Sequence, residues 1–228
     1  MDQIKSAPKA TGILLFLLLL NILNMVDRTL ITSFGSAIIK DLNLSDSQFG
    51  LLTGPIFVFF YSIMGLFMGA LADRVHRPRL IAAGLLLWSA LTAVSGMGKN
   101  FVQIGVARLF IGVGESAMTP SAISMISDLF PKARRGTATG IYYLGVPLGA
   151  GGSFIVAGIL GPMIGWRNCF LLLGGLGLVL ALVLLFIKDP ERGAMEEKGT
   201  EVDQQESLIG GNWRSIVSDV FQVVKSTP

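Results

Sequence analysis

Thiol and imidazole chemistry is nearly missing from this chain: Cys169 and His76 are its one cysteine and one histidine in 228 residues. A lone cysteine excludes a disulfide within the chain, and the two residues together are too few for the usual His/Cys metal site or a Cys–His dyad. No metal and no cofactor are expected. Charge is scarce as well. Asp, Glu, Lys and Arg make up 14% of the residues and hydrophobic ones 52%, where a soluble domain carries roughly a quarter charged. The formal net charge is +3, but the basic residues fall in short clusters between apolar runs, which suits membrane loops better than a nucleic-acid-binding face. The solvent of this chain is a bilayer.

Six apolar runs are long enough to cross it, at about 20 residues each: 12–36, 48–72, 80–98, 101–127, 135–160 and 166–187. The first is too long for a signal peptide and lacks a small-residue cleavage site. Lys5, Lys9, Arg74, Arg77, Arg79, Lys132, Arg134, Arg135, Lys188 and Arg192 lie on one side, against Lys40, Lys99 and Arg167 on the other. Positive charge collects in cytoplasmic loops, so both ends of the chain are expected in the cytoplasm. This gives a cytoplasmic tail at 1–11 and a six-helix transmembrane bundle at 12–187. Residues 188–211 hold seven acids against three bases and read as a solvated acidic linker. Over 212–228, Trp213, Ile216, Val217, Val220, Phe221 and Val224 recur at helical spacing, as in an amphipathic interfacial helix.

Within the first run, LFLLLLNILNMVDRTLITSF, an acid and a base stand side by side. Charges inside hydrocarbon are costly and mark a partner, a water-filled cavity or a function. Asn21, Asn24 and Arg28 share one helical face, with Asp27 at its edge. In the fourth run Arg108, Gly112 and Glu115 share a face too, with the charges about 10 Å apart along the axis. Gly65 and Gly69 are spaced by four and let a neighbouring helix come close. Asp73 is a carboxylate at a helix C-terminus, which opposes the macrodipole and calls for cations such as those of RVHRPR.

The stretch GLFMGALADRVHRPR resembles the loop signature between helices 2 and 3 of the major facilitator superfamily, through Gly65, Gly69, Asp73, Arg74, Arg77 and Arg79. His76 replaces the usual glycine and Pro78 interrupts the basic pair. RLFIGVGESAMTP resembles the helix-4 pattern, with Arg108, Gly112 and Gly114, and PKARRG contributes Arg135. GIYYLGVPLGAGG loosely resembles an antiporter motif. Together, NILNMVDR, DRVHRPR, GVGESAMTP and SDLFPKARR look most like the Spinster family, whose anion:cation symporter cousins share the helix-1 motif.

The resemblance implies an all-α integral membrane fold, the N-terminal half of a major facilitator carrier built as two inverted three-helix repeats. It implies a proton-linked carrier of an amphiphilic lipid, such as a lysophospholipid or sphingosine phosphate, in the plasma membrane. Asp27 and Glu115 would be the proton-coupling pair, Arg28 and Arg108 their charge partners and headgroup ligands, and Asn21 and Asn24 the polar cavity wall. Asp73, Arg74, Arg77, Arg79 and Arg135 would form a cytoplasmic gate, and Gly65, Gly69, Gly112 and Gly114 packing positions. A C-terminal six-helix half would supply the other wall. The alternatives are an organic-anion symporter and a non-transporting six-helix scaffold or receptor. An enzyme is not expected, since the residues offer nothing beyond a conceivable Asp27–Glu115 aspartyl dyad.

Overall fold

The structure is a computed structural model that describes residues 3–195, with side chains from Lys9 onward. Among these residues every regular element is helical. The first span is α1 (Gln3–Ser33), followed by the short α2 (Gly35–Leu42). Helix therefore begins inside the segment expected as a tail. The second span joins α3 (Asp46–Thr53) to α4 (Pro55–Ala72), and the third is α5 (Arg77–Gly96). The fourth joins α6 (Phe101–Glu115) to α7 (Met118–Leu129). The fifth runs through α8 (Lys132–Tyr143), α9 (Gly145–Ile155) and a π-helical turn at Val156–Leu160; α10 (Gly161–Leu184) carries the sixth. Most of the proposed acidic linker and all of the proposed interfacial helix lie outside the described residues.

Among the described residues there are, by length and apolarity, five helical stretches able to cross a membrane, the last being Lys132–Leu184 with 53 residues. At about 1.5 Å per residue this one is twice as long as a bilayer needs. It holds two spans because Gly165 leaves the helix at φ 77° and ψ 159°, a conformation that side chains resist and glycine accepts. Just beyond it, Trp166 and Arg167 bond Asp41 at the end of α2, while the other end of α10 leads to Asp189, which bonds Arg77. The chain has turned back, and six spans result.

Local sequence explains several ends. Ser45 and Gln48 form a reciprocal capping box that starts α3, satisfying two otherwise orphaned amides. Asn43 stops α2 in the left-handed region at φ 50°, a conformation that asparagine tolerates better than most residues. Asn100 accepts from the Gln103 amide at the head of α6.

The interior is sealed by close backbone approaches rather than by large side chains alone. A Cβ at Gly114 would stand 2.8 Å from the Gly84 carbonyl oxygen, and one at Gly174 would stand 2.5 Å from that of Ser89. These positions press α6 onto α5 and α10 onto α5, and small residues at such crossings are the usual means of helix packing in lipid. Outside, Phe59, Phe154, Met163 and Phe186 are well exposed, as a surface solvated by lipid tails requires. Gly65 and Gly69 correct an expectation: a Cβ there would meet nothing within 4 Å, so they pack against no helix of the described chain. Gly112 does pack, 2.8 Å from the Phe57 carbonyl by the same measure.

Candidate functional site

The expected site residues fall in two polar clusters, one inside the bundle and one at the end where the basic loops gather. The inner one lies between the first and fourth spans. Glu115 is the central residue of the 29-residue stretch Phe101–Leu129, and α6 ends on it. Glu115 Oε2 accepts from Arg28 Nη2 at 2.8 Å and from Arg28 Nε at 2.9 Å. Charge-assisted bonds of this kind are among the strong ones. The Glu115 side chain is fully buried, whereas that of Arg28 keeps 25% of its surface exposed. The Arg28 guanidinium lies 4.5 Å from the Tyr61 ring centroid and 4.9 Å from that of Phe57. Arg108 shares the Phe57 ring at 4.9 Å.

The expected pairing therefore changes. Adjacent residues on a helix point some 100° apart, so Arg28 reaches across to Glu115 rather than to its neighbour Asp27. Arg108 does not pair with Glu115. Its bonds to the carbonyls of Leu52 and Arg28 are both long, at 3.4 Å. Asp27 is buried, and neither carboxylate oxygen has a hydrogen-bond partner among the described residues; nor does the Trp88 indole N–H beside it. The Asn24 amide nitrogen and Glu115 Oε1 are likewise unpartnered. An ionised group left thus in a dry interior is costly. This pocket holds donors and acceptors that are neighbours without being bonded.

Asn21 departs from its expected place in the cavity wall. It donates to the Tyr142 carbonyl at 2.8 Å, a buried bond. The fifth span is interrupted at Leu144 between α8 and α9. Asn21 thus satisfies a carbonyl beside that break.

The second cluster lies where the gate was expected. Among the five residues expected at the gate, Arg77 is a hub. It is fully buried, and its Nε donates to Asp189 Oδ1 at 2.8 Å, Nη2 to the Pro190 carbonyl at 2.6 Å and Nη1 to Ser124 Oγ at 3.0 Å. It also pairs with Asp128. Asp73 is exposed at the end of α4, and Arg77, one of the cations expected for it, is bonded to Asp128 and Asp189 instead. Arg79 is exposed too, and Arg135 bonds locally to the Phe130 carbonyl at 3.1 Å. Arg192 donates to the carbonyls of Ala72 and Val75, both at 2.8 Å, cations being favourable at a helix C-terminus.

Sequence reasoning missed Asp128, Asp189 and Trp88. The first two are acids at the ends of the fourth and sixth spans, where the basic loops gather, and their placement was the available signal. Nothing marked Trp88 among apolar residues. Among the described residues no group of three or more His, Cys, Asp or Glu could hold a metal ion.

Residues 17–226 match the family profile described as Major Facilitator Superfamily. The chain belongs to the major facilitator superfamily. Within it, the likeness is to Spinster proteins. The crystal structure of a bacterial homolog of the human lysosomal transporter Spinster, inward-facing and unoccupied, matches at a TM-score of 0.75 and 34% identity, covering 86% of this chain and 46% of that one. A sphingosine-1-phosphate transporter of Danio rerio is 30% identical over 88% of this chain and 40% of its own length. An MFS-type efflux pump of Mycolicibacterium smegmatis is 30% identical over 91% of this chain and 48% of its own length. This major facilitator chain spans about half the length of these relatives, and its helices fit the N-terminal half of that fold.

Proposed function

We propose that this chain forms one wall of a proton-linked carrier that moves an amphiphilic lipid, of lysophospholipid or sphingosine-phosphate type, by alternating access. The carrying observation is the Arg28–Glu115 bridge between the first and fourth spans, with the unbonded Asp27 carboxylate beside it. A proton taken up at Asp27 or Glu115 alters the charge balance around Arg28 and Arg108, so the bridge is remade as the carrier changes state. Arginine keeps its charge, so it serves as counter-charge and not as proton carrier. The exposed quarter of Arg28 is available to a phosphate headgroup, which the planar guanidinium fork can hold by two hydrogen bonds.

Substrate sites in this superfamily lie between two halves, so a second six-helix unit supplies the opposite wall. The second span buries little of itself within this chain and offers a face for that unit. Exposed Asp73 reaches toward it from the side with the basic loops. That side faces the cytoplasm, and the carrier resides in the plasma membrane. The similarity to a sphingosine-1-phosphate transporter and to an efflux pump supports lipid export.

The test is flux in proteoliposomes containing the carrier with both halves. Fluorescent lysophospholipid and sphingosine phosphate are followed with and without an imposed pH gradient, alongside a pH-sensitive dye in the lumen. Lipid movement that accelerates with the gradient and carries protons supports the reading. Flux of neither lipid, or lipid flux indifferent to the gradient, rejects it.

A further inference from the structure

At the membrane face opposite Arg77 stands a second arginine hub. Arg167 Nη2 lies 2.9 Å from Asp41 Oδ2, with its Nε 3.2 Å from the same oxygen. Arg167 Nη1 donates to the carbonyls of Gly98 at 2.6 Å and Gly96 at 3.1 Å. Trp166 Nε1 donates to Asp41 Oδ2 at 3.1 Å, and the Arg167 guanidinium sits 4.3 Å from the Trp166 ring centroid.

The two hubs correspond residue by residue under an exchange of the three-helix repeats. Arg77 opens the third helix of the first repeat and Arg167 opens that of the second. Arg77 grips Asp128, next to last in the helix that ends the fourth span; Arg167 grips Asp41, next to last in α2, which continues the first. Arg77 also takes the Pro190 carbonyl just past the sixth span, and Arg167 those of Gly96 and Gly98 where the third span ends. Each arginine thus closes on the other repeat. An inverted repeat turns one face into the other, so one rule built both clasps. They differ in burial: the Arg77 side chain is wholly buried, whereas Arg167 and Asp41 expose 35% and 46% of theirs.

We infer that Asp41 and Arg167 are a positioning pair, the opposite-face counterpart of the Arg77–Asp128 clasp, that keeps the first, third and sixth spans moving together when that face opens. The inference rests on the transport reading. The first span carries Asp27 and Arg28, so its far end must follow the third and sixth spans if Arg28 is to meet Glu115 again after each cycle. Releasing the clasp slows that return while leaving the headgroup contacts of Arg28 in place.

The experiment uses the carrier with both halves in vesicles of phosphatidylethanolamine and phosphatidylglycerol, with a fluorescent lysophospholipid as probe. Arg167→Gln and Asp41→Asn are each expected to lower turnover about three- to tenfold with KM unchanged, a loss equivalent to about 0.7–1.4 kcal/mol. The double variant should be no slower than either single one, since both remove the same contact. Arg167→Lys should recover part of the rate. In parallel, a double-mutant cycle on thermal unfolding of the 228-residue chain in detergent should show the two residues coupled, and the coupling should shrink in 1 M salt because the pair is half-exposed. Unchanged turnover, multiplying losses in the double variant, or additive melting shifts would overturn the inference. A wild type that moves neither lysophospholipid nor sphingosine phosphate refutes the transport reading, and the melting cycle then decides the clasp by itself.

Discussion

Truncating Arg77 to alanine separates the arginines of RVHRPR, which look alike in sequence. In the structure Arg77 is fully buried and compensates two carboxylates, Asp128 and Asp189. Removing one partner of a buried ion pair costs about 3–5 kcal/mol, because the other charge stays behind uncompensated. Asp128 and Asp189 keep 10% and 17% of their side-chain surface accessible, which admits water and places the expected loss near the lower end, about 3 kcal/mol. At about 2–4 °C per kcal/mol for a chain of this size, Arg77→Ala should melt some 6–12 °C earlier. Arg77→Lys keeps one charge but cannot hold Asp128, Asp189, Ser124 and Pro190 together, so it should fall between. Arg79→Ala removes an exposed charge two residues away and should stay within about 0.5 kcal/mol of the wild type. Thermal unfolding of the purified chain in mild detergent, followed by circular dichroism, measures all three. An Arg77→Ala loss below 1 kcal/mol, or an Arg79→Ala loss of equal size, would refute the assignment of Arg77 as the hub.

Gly174→Val should destabilise by about 1–3 kcal/mol, since its Cβ would stand 2.5 Å from the Ser89 carbonyl and 2.7 Å from the Ala93 nitrogen. Gly175→Ala, with nothing within 4 Å, should be neutral or gain up to about 1 kcal/mol of helix propensity; equal melting points for the two would contradict the close approach. Asp27→Asn resembles a permanently protonated Asp27, so its conformational exchange at pH 8 should match the wild type at pH 5, and proton-driven flux should stop. Intact pH dependence in spin-label distances would return the polar stripe to a structural role. Asp73→Asn should shift the population toward the state open on the side with the basic loops and slow transport, by no more than the contact's differential stability between states. Unchanged distances across that face would leave Asp73 as a local loop anchor.

The spans were legible because lipid imposes a length and a composition on any helix that crosses it, and both can be counted in a string. The charged residues of the first and fourth spans were legible for the same reason: in hydrocarbon a charge stands out. Partners were not. Asp27 and Arg28 are neighbours in sequence, yet side-chain direction sends Arg28 to Glu115 and leaves Asp27 against Trp88. Asn21 reads as a cavity residue until the fifth span is seen to break beside it at Leu144. Gly65 and Gly114 have the same chemistry, and only the tertiary structure tells the open glycine from the one wedged against Gly84. Arg77, Asp128 and Asp189 lie 51 and 112 residues apart. Which acid an arginine finds depends on where helix ends arrive in space. The sequence by itself determined the solvent, the number of crossings and the residues that needed a reason to be buried; the packing of six spans decided which of them meet.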